Sequence, residues 1–156
     1  MLHVVLFEPE IPQNTGALLR LAACLNVHLH LIEPLGFVMR TPAMQRAHMD
    51  YIQAAPHTLH PSWPAFQQTL SQTVGFSGRL IGLTPASTQT LPQTTFQDGD
   101  ALLFGAEGPG LPAAQQQACH TLVRIPMAKG QRSLNLALSV ALTVGHALQS
   151  THTWPA

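Results

Sequence analysis

Short apolar runs alternate with amphipathic stretches from one end of the chain to the other. Branched apolar runs that end at turn residues are typical of buried strands, and apolar residues at 3.6-residue spacing are typical of helices. The pattern predicts strands at residues 2–7, 27–32, 51–55, 79–83, 101–104 and 122–125. It predicts helices at residues 15–25, 42–49, 62–72, from Pro112 onward and at residues 133–149. This alternation predicts an α/β fold, with a mainly parallel sheet flanked by helices.

The connections between these elements complete the expected architecture. The prolines of EPEIPQN, Pro9 and Pro12, predict that no helix begins before Asn14. Residues 84–99 are rich in Thr, Gln, Ser and Pro and predict a surface connection with little regular structure. Neither a linker nor a repeat divides the sequence, so we expect one domain over residues 1–156, with the last few residues forming a tail.

The last predicted helix is apolar on nearly every side. Its apolar residues include Leu134, Leu136, Leu138, Val140, Leu142 and Val144. A helix without a polar face has to be covered on both sides, and the sheet provides one cover. In a chain of 156 residues we expect a second copy to provide the other, which predicts a homodimer.

Charged residues are unusually sparse. They make up 9% of the chain, seven basic residues balance seven acidic ones, and 46% of residues are hydrophobic. This composition excludes a disordered chain, and the zero net charge gives no global signature of a nucleic-acid binder. An RNA partner therefore has to be met by a local cluster of arginines. The longest apolar stretch, residues 134–148, is shorter than the ~20 residues of a membrane crossing, so we expect no membrane partner.

The cysteines and histidines indicate neither disulfides nor a metal site. Cys24 and Cys119 lack metal-ligand spacing, which indicates a reducing cytoplasm, and Cys24 is expected in the apolar core or at its boundary. His28 and His30 alternate along a strand, but no third ligand is indicated by spacing. The remaining pair, His57 and His60, lies in a proline-rich segment and is expected to be solvated.

Three loops follow predicted strands and carry unusual residues, at residues 8–16, 105–111 and 125–135. In open α/β sheets, ligands bind outside the carboxyl ends of the strands. The glycines of GAEGPG let a backbone approach a ligand and leave N–H groups free to hold an adenine or a carboxylate. Because this loop matches neither G-x-G-x-x-G nor G-x-x-x-x-G-K-[ST], it indicates neither a dinucleotide site nor a P-loop.

Taken together, the three loops resemble a known set of motifs. EPEIPQNTGALLR, LLFGAEGPGLP and RIPMAKGQRSLNLALSVAL resemble, in this order, the three motifs of SPOUT-type RNA methyltransferases. Within that superfamily the chain is similar to the small single-domain branch of tRNA (cytidine/uridine) wobble-position 2′-O-methyltransferases. The resemblance runs from residue 1 to about residue 150 and includes IEPLGF, RAHMDY and QDGD.

The resemblance implies a C-terminal trefoil knot that holds S-adenosylmethionine, with S-adenosylhomocysteine as the product and no metal. It places the following residues at the cofactor: Leu83, Gly105, Gly110, Ile125, Ser133 and Leu134.

The implied reaction is attack of a ribose 2′-hydroxyl on the cofactor's methyl group, which requires alignment and loss of a proton. The resemblance assigns catalysis to Arg20, Ser133 and Asn135. Because a guanidinium stays protonated, Arg20 is expected to hold the hydroxyl beside an RNA phosphate that accepts the proton, in its own subunit or in its partner's. Ser133 and Asn135 are expected to orient the nucleotide or the cofactor carboxylate.

The expected substrate is a tRNA anticodon stem-loop. The residues expected to contact it are Arg20, Arg46, Tyr51 and Arg132. Tyr51 either stacks on a splayed base or is an ordinary buried tyrosine. Asn14 and Glu107 are expected to fix the loops around the site; alternatively, Glu107 bonds to backbone N–H groups of its own loop.

Four residues depart from the pattern of the resembled branch. Ala137 and Leu138 stand where a Ser-Asn pair is usual, and Gly108 and Pro109 stand where polar residues are common. These changes remove hydrogen bonds near the cofactor and the RNA. Two alternatives therefore stay open: a 2′-O-methyltransferase that acts on rRNA or another tRNA position, and a knotted cofactor- or RNA-binding protein without turnover.

Overall fold

The described backbone contains six short strands that form one parallel sheet. The structure is a computed structural model that describes the backbone of residues 1–156 and every side chain except those of residues 47–49. The strands are β1 (His3–Phe7), β2 (His28–Ile32), β3 (His57–His60), β4 (Leu80–Leu83), β5 (Ala101–Phe104) and β6 (Thr121–Val123). Their order is β3-β2-β1-β5-β4-β6, and each neighbouring pair is parallel. The predicted fold class is therefore confirmed.

Helices cover both faces of this sheet. They are α1 (Pro12–Leu25), α2 (Pro42–Ala54), α3 (Trp63–Ser71), α4 (Ala113–Gln117) and α5 (Leu136–Thr151). On one face, Val4 and Leu6 of β1 belong to a core shared with α1 and α5. On the other face, Val5 and Phe7 pack in a second core with Phe66 of α3. Strands that are buried on both faces read as continuous apolar runs, which explains why β1 could be predicted.

Two helices begin three residues away from their predicted positions. α1 begins at Pro12 rather than at residue 15, because a proline in the first helical turn lacks only an N–H that has no partner within the helix. α5 begins at Leu136 rather than at residue 133. Asn135 caps this helix, since its side-chain oxygen accepts a hydrogen bond from the Leu138 N–H at 3.2 Å.

The prediction of a strand at residues 51–55 was wrong. Most of this segment is the last turn of α2, and Tyr51, Ile52 and Ala55 pack on the core at helical spacing. The third strand is instead His57–His60. His60 was expected to be solvated, but it is buried because its Nε2 lies 2.9 Å from Nδ1 of His30 in a hydrogen bond.

The connection at residues 84–99 is more buried than the surface connection that the sequence predicted. Leu91 and Phe96 are buried in the core, and a short 3-10 helix covers Leu91–Gln93. The Leu91 N–H donates to the carbonyl of Arg124, whose own N–H donates to the carbonyl of Gln89, at 2.8 and 2.9 Å. These bonds fix the connection beside the chain that leaves β6. The trefoil knot stays a prediction.

Two further observations concern Cys24 and the hydropathy of the helices. Cys24 is exposed, so its expected place in or near the core was wrong; it lies on the outer side of α1. Among the described helices, none has the length and hydropathy needed to cross a membrane.

Candidate active site

A cavity of about 350 Å³ lies at the carboxyl ends of β4, β5 and β6. Leu83 ends β4, Phe104 ends β5, and Ile125 follows β6 closely; all three line the cavity. Most of the remaining wall comes from the segments after β1, β5 and β6, which are the three loops that the sequence singled out. The segment after β4 and the start of α5 complete it. The site therefore lies where an open parallel sheet is expected to bind a ligand.

A chain of hydrogen bonds joins these three loops, and we call its members Asn14, Glu107 and Asn135 the clasp. The Asn135 side-chain amide donates to Oδ1 of Asn14 at 3.0 Å, and the Asn14 amide donates to Oε1 of Glu107 at 3.1 Å. The backbone N–H groups of Glu10 and Ile11 donate to the same carboxylate at 2.8 and 3.1 Å. The prediction that Asn14 and Glu107 fix the loops is confirmed by this geometry.

The clasp keeps the Glu107 carboxylate ionised. Burial alone would raise the pKa of Glu107, but the hydrogen bonds from Glu10, Asn14 and Ile11 outweigh burial and lower this pKa below its ordinary value. A carboxylate that already accepts three hydrogen bonds is a weak proton acceptor. Glu107 therefore supports the walls of the cavity and is not suited to act as a general base.

The glycine loop depends on close backbone contact. A Cβ atom on Gly105 would lie 2.1 Å from both the carbonyl carbon of Gly110 and the backbone nitrogen of Leu111. This approach lets the Gly110 N–H donate to the carbonyl of Ala106 at 2.9 Å. Gly110 has a φ of +72°, a conformation that favours glycine. The loop thus brings its main chain to the edge of the cavity.

The rest of the lining is mainly apolar, with a few hydroxyl groups. Leu134 and Leu136 add to the apolar walls, while Thr84, Ser133 and Ser139 are the hydroxyl-bearing residues. The described lining contains no Lys or Arg. Since phosphate groups are usually met by such cations, the cavity suits a ligand without phosphate that can bond to main-chain groups.

The structure brings one part of the predicted site together. The predicted residues that line the cavity are Leu83, Gly105, Gly110, Ile125, Ser133, Leu134 and Asn135. Asn135 already uses its oxygen for the helix cap and its amide for the clasp. Its geometry therefore explains a positioning role, and its catalytic role stays a prediction.

The predicted RNA-contacting residues lie apart from the described lining of this cavity. Arg20 is exposed on α1, and its guanidinium lies 5.1 Å from the centre of the half-buried Tyr51 ring, within the range of a cation–π contact. Arg46 and Arg132 are exposed, Arg46 on α2 and Arg132 in the loop before α5. Their expected contacts with RNA stay predictions.

Sequence reasoning missed several lining residues, of which Ser139 is the most informative. Ser139 follows Asn135 by four residues, so the two lie on the same side of the start of α5. This spacing could have identified Ser139. Met127, within the third loop that the sequence singled out, lines the cavity as well. Thr84 and Pro85 also line it, but no local pattern marks them.

Comparison with known proteins identifies the family of this chain. Residues 1–145 match the SpoU rRNA Methylase family. The chain belongs to this family. Among relatives of this SpoU methylase, a tRNA (cytidine(34)-2′-O)-methyltransferase from Acidovorax sp. (strain JS42) is 44% identical over 149 residues. The match covers 94% of this chain and 90% of the relative.

Solved structures of similar proteins share the fold of this SpoU methylase. A structure concerned with 2-OH methylation of C/U34 on tRNA has a TM-score of 0.86 and 40% identity, covering 96% of this chain and 95% of that chain. The SpoU methyltransferase AviRb from Streptomyces viridochromogenes, in complex with the cofactor AdoMet, has a TM-score of 0.84 and 24% identity. That match covers 94% of this chain and 59% of AviRb, and at this identity it shows a common fold.

Proposed function

We propose that this SpoU methylase transfers a methyl group from S-adenosylmethionine to the ribose 2′-hydroxyl of the wobble nucleotide of tRNA, cytidine or uridine, in the cytoplasm. The observation that carries the proposal is the 44% identity, over 94% of the chain, to a tRNA (cytidine(34)-2′-O)-methyltransferase. The structure concerned with methylation of C/U34 on tRNA supports the same nucleotide.

The cavity fits S-adenosylmethionine in size and in chemistry. Its volume of about 350 Å³ falls within the range of roughly 300–1,000 Å³ that small-molecule sites occupy. Main-chain groups at Gly105 and Gly110 suit the edge of an adenine, and the apolar side chains of Leu83 and Ile125 suit its faces. The lack of Lys and Arg in the described lining avoids repulsion of a cationic sulfonium.

The residues around the cavity position the reactants and exclude water. When bound, S-adenosylmethionine supplies a methyl group attached to a positively charged sulfur, and this sulfur becomes the neutral thioether that is the leaving group. The clasp holds the three loops in one arrangement, so that the reacting atoms meet in a fixed geometry. The Ser133 hydroxyl, at the cavity wall, is placed to orient the nucleotide or the cofactor carboxylate.

Arg20 completes the site on the RNA side. Arg20 follows Asn14 by six residues, which puts it about 9 Å further along α1 and about 120° around the helix. We infer that it acts at the cavity of a partner subunit, where it holds the 2′-hydroxyl beside an RNA phosphate that accepts the proton. A two-point guanidinium contact is what a phosphate requires.

The surface of α5 supports a homodimer. Leu138 and Leu142 of α5 are 55% and 51% exposed. Exposed leucines at a spacing of four residues form an apolar stripe. Contact with the same stripe of a second copy would bury it in a symmetric interface.

The test is transfer of labelled methyl groups from S-adenosylmethionine to total tRNA from cells that lack this gene. The labelled nucleotide is then mapped by nuclease digestion. We expect label on the ribose of the wobble nucleotide. Arg20→Ala should lose this label yet keep its affinity for S-adenosylmethionine in calorimetry, because Arg20 lies outside the described cavity lining.

Other outcomes lead to the alternatives. Label on rRNA, or at another tRNA position, would retain the chemistry and replace the substrate. Binding of S-adenosylmethionine without transfer to any RNA would show a binding protein without turnover, in line with the departures at Ala137 and Leu138.

A further inference from the structure

A second cavity, of about 220 Å³, lies directly beside the first. Ala106 and Gly110 of the glycine loop line both cavities, so a single turn of chain separates them. This volume is below the range of roughly 300–1,000 Å³ that whole small-molecule ligands need. The second cavity therefore suits a part of a larger ligand.

Its lining is mainly apolar and includes two acidic residues. The apolar residues are Phe7, Pro34, Leu35, Pro109 and Pro112, and the carboxylates belong to Glu8 and Glu10. Two like negative charges repel a phosphate, which excludes the RNA backbone as the occupant. Rings and proline faces suit the plane of a nucleobase, and carboxylates accept hydrogen bonds from an exocyclic amine.

The residues around Glu10 fix its backbone and leave its carboxylate accessible. Gly36 lies so close to Glu10 that a Cβ on this glycine would be 2.7 Å from the Glu10 Cα, and the Gly36 N–H donates to the carbonyl of Pro9 at 2.9 Å. These contacts, with the bond from the Glu10 N–H to Glu107, fix the backbone. A Cβ on Gly108 would lie 3.4 and 3.5 Å from the two carboxylate oxygens. The glycine therefore leaves the carboxylate uncovered.

From this geometry we propose that the second cavity binds the base of the methylated nucleotide and that Glu10 accepts a hydrogen bond from the 4-amino group of cytosine. The inference rests on the proposed function, because a ribose that reacts at the first cavity has its base close enough to enter the adjacent second cavity. Uracil presents a carbonyl oxygen at the same position, which a carboxylate repels. The enzyme therefore prefers cytidine to uridine, by about 5- to 100-fold.

The experiment compares two anticodon stem-loops that differ only in having cytidine or uridine at the wobble position. Binding is measured by fluorescence anisotropy in the presence of S-adenosylhomocysteine, and methyl transfer is measured separately as kcat/KM. In Glu10→Gln, an isosteric change at an exposed side chain, the preference for cytidine should fall to about twofold or less. The uridine substrate should be bound and methylated at least as well as before, because the glutamine amide does not repel its carbonyl oxygen.

Two further variants separate this role from a general one. Gly108→Ser places a hydroxyl beside the Glu10 carboxylate and should reduce the cytidine preference while the charge is retained. Glu33→Gln, at a carboxylate outside the lining of the second cavity, is the matched control and should leave the preference unchanged.

The results distinguish failure of this inference from failure of the proposed function. Equal affinity of the unsubstituted enzyme for the two stem-loops, or an equal loss for both in Glu10→Gln, would overturn the base site. Loss of preference in Glu33→Gln alone would also overturn it. Absence of methyl transfer to either stem-loop would refute the proposed function, whereas the ratio of the two affinities would still decide the base site.

Discussion

The buried histidines on one face of the sheet predict that the protein loses stability in mildly acidic solution. Nδ1 of His3 lies 3.1 Å from Nε2 of His30, and Nδ1 of His30 lies 2.9 Å from Nε2 of His60. His3 and His30 are 3% and 2% exposed. Burial, reinforced by neighbouring histidines, lowers the pKa of His3 from 6.5 to about 4 and that of His30 from 6.5 to about 2.

The direction and size of the effect follow from these pKa values. The unfolded chain binds protons on both histidines below pH 6.5, while the folded chain leaves them neutral until about pH 4 and about pH 2. The free energy of unfolding is therefore fully retained above pH 6.5 and decreases as the pH falls below it. At pH 5.5, one unit below, each histidine accounts for about 1.4 kcal/mol, or about 3 kcal/mol for the pair.

Other groups around the cluster also affect the pH dependence. After burial, His28 and then the N-terminal ammonium lower the pKa of His3, and Asp98 raises it. The pKa values of His28 and His60 are lowered as well, first by burial, so they add to the loss in the same direction. The covering helix α3 contributes no ionisable side chain, since its sequence is WPAFQQTLS.

The assay is urea unfolding, followed by circular dichroism, at several pH values between 7.5 and 5.5. His3 and His30 should together cost the unsubstituted protein about 3 kcal/mol over this range, with a further loss from His28 and His60. His30→Gln keeps a donor and an acceptor but cannot titrate, so the share of His30, about 1.4 kcal/mol, should disappear. His152→Gln, in the exposed tail, should keep all of it. A free energy of unfolding that stays constant from pH 7.5 to 5.5 would refute the reasoning.

Three further changes test other parts of the structure. Asp100→Ala removes the fully buried carboxylate that lies 2.7 Å from the Arg79 guanidinium. The free energy of unfolding in urea should decrease by about 3 kcal/mol, and a decrease below about 1 kcal/mol would contradict this prediction. Gly105→Ala forces the glycine loop apart and should weaken S-adenosylmethionine binding by about tenfold or more in calorimetry; unchanged affinity would contradict the proposed site. Leu142→Glu should give monomers in sedimentation, unlike Gln67→Glu on α3, and persistent dimers would exclude this interface.

Most of the sheet could be predicted because its strands are local patterns. Strands β1, β4 and β5 are mainly apolar runs of four or five residues, and in β2 two histidines alternate with leucines before Ile32. Strand β3, with the sequence HTLH, could not be found in this way. Two histidines indicate a solvated loop, unless their ring nitrogens have partners. The partner of His60 is His30, thirty residues earlier, and such pairing cannot be derived from composition.

In the candidate site, too, features that depend on neighbouring residues could be predicted, whereas contacts between residues far apart in the sequence could not. The positions of the three loops follow from the strands, so the walls of the cavity could be predicted. The clasp could not be predicted, since Asn14 bonds to Glu107 across 93 residues and to Asn135 across 121. The proposed role of Arg20 could not be derived from residue spacing either, because in the proposed dimer it depends on how two copies meet.

The clasp also determines which substitutions can separate the two cavities. The Glu107 carboxylate bonds to the backbone of Glu10 and Ile11, and Ile11 lines the first cavity while Glu10 lines the second. A change at Glu107 therefore moves both walls, and its effects on cofactor and RNA would be inseparable. Glu10, by contrast, lines the second cavity and not the first, and the hydrogen bond from its backbone N–H to Glu107 does not involve its side chain. Recognition of the base can thus change without a change in the cofactor site.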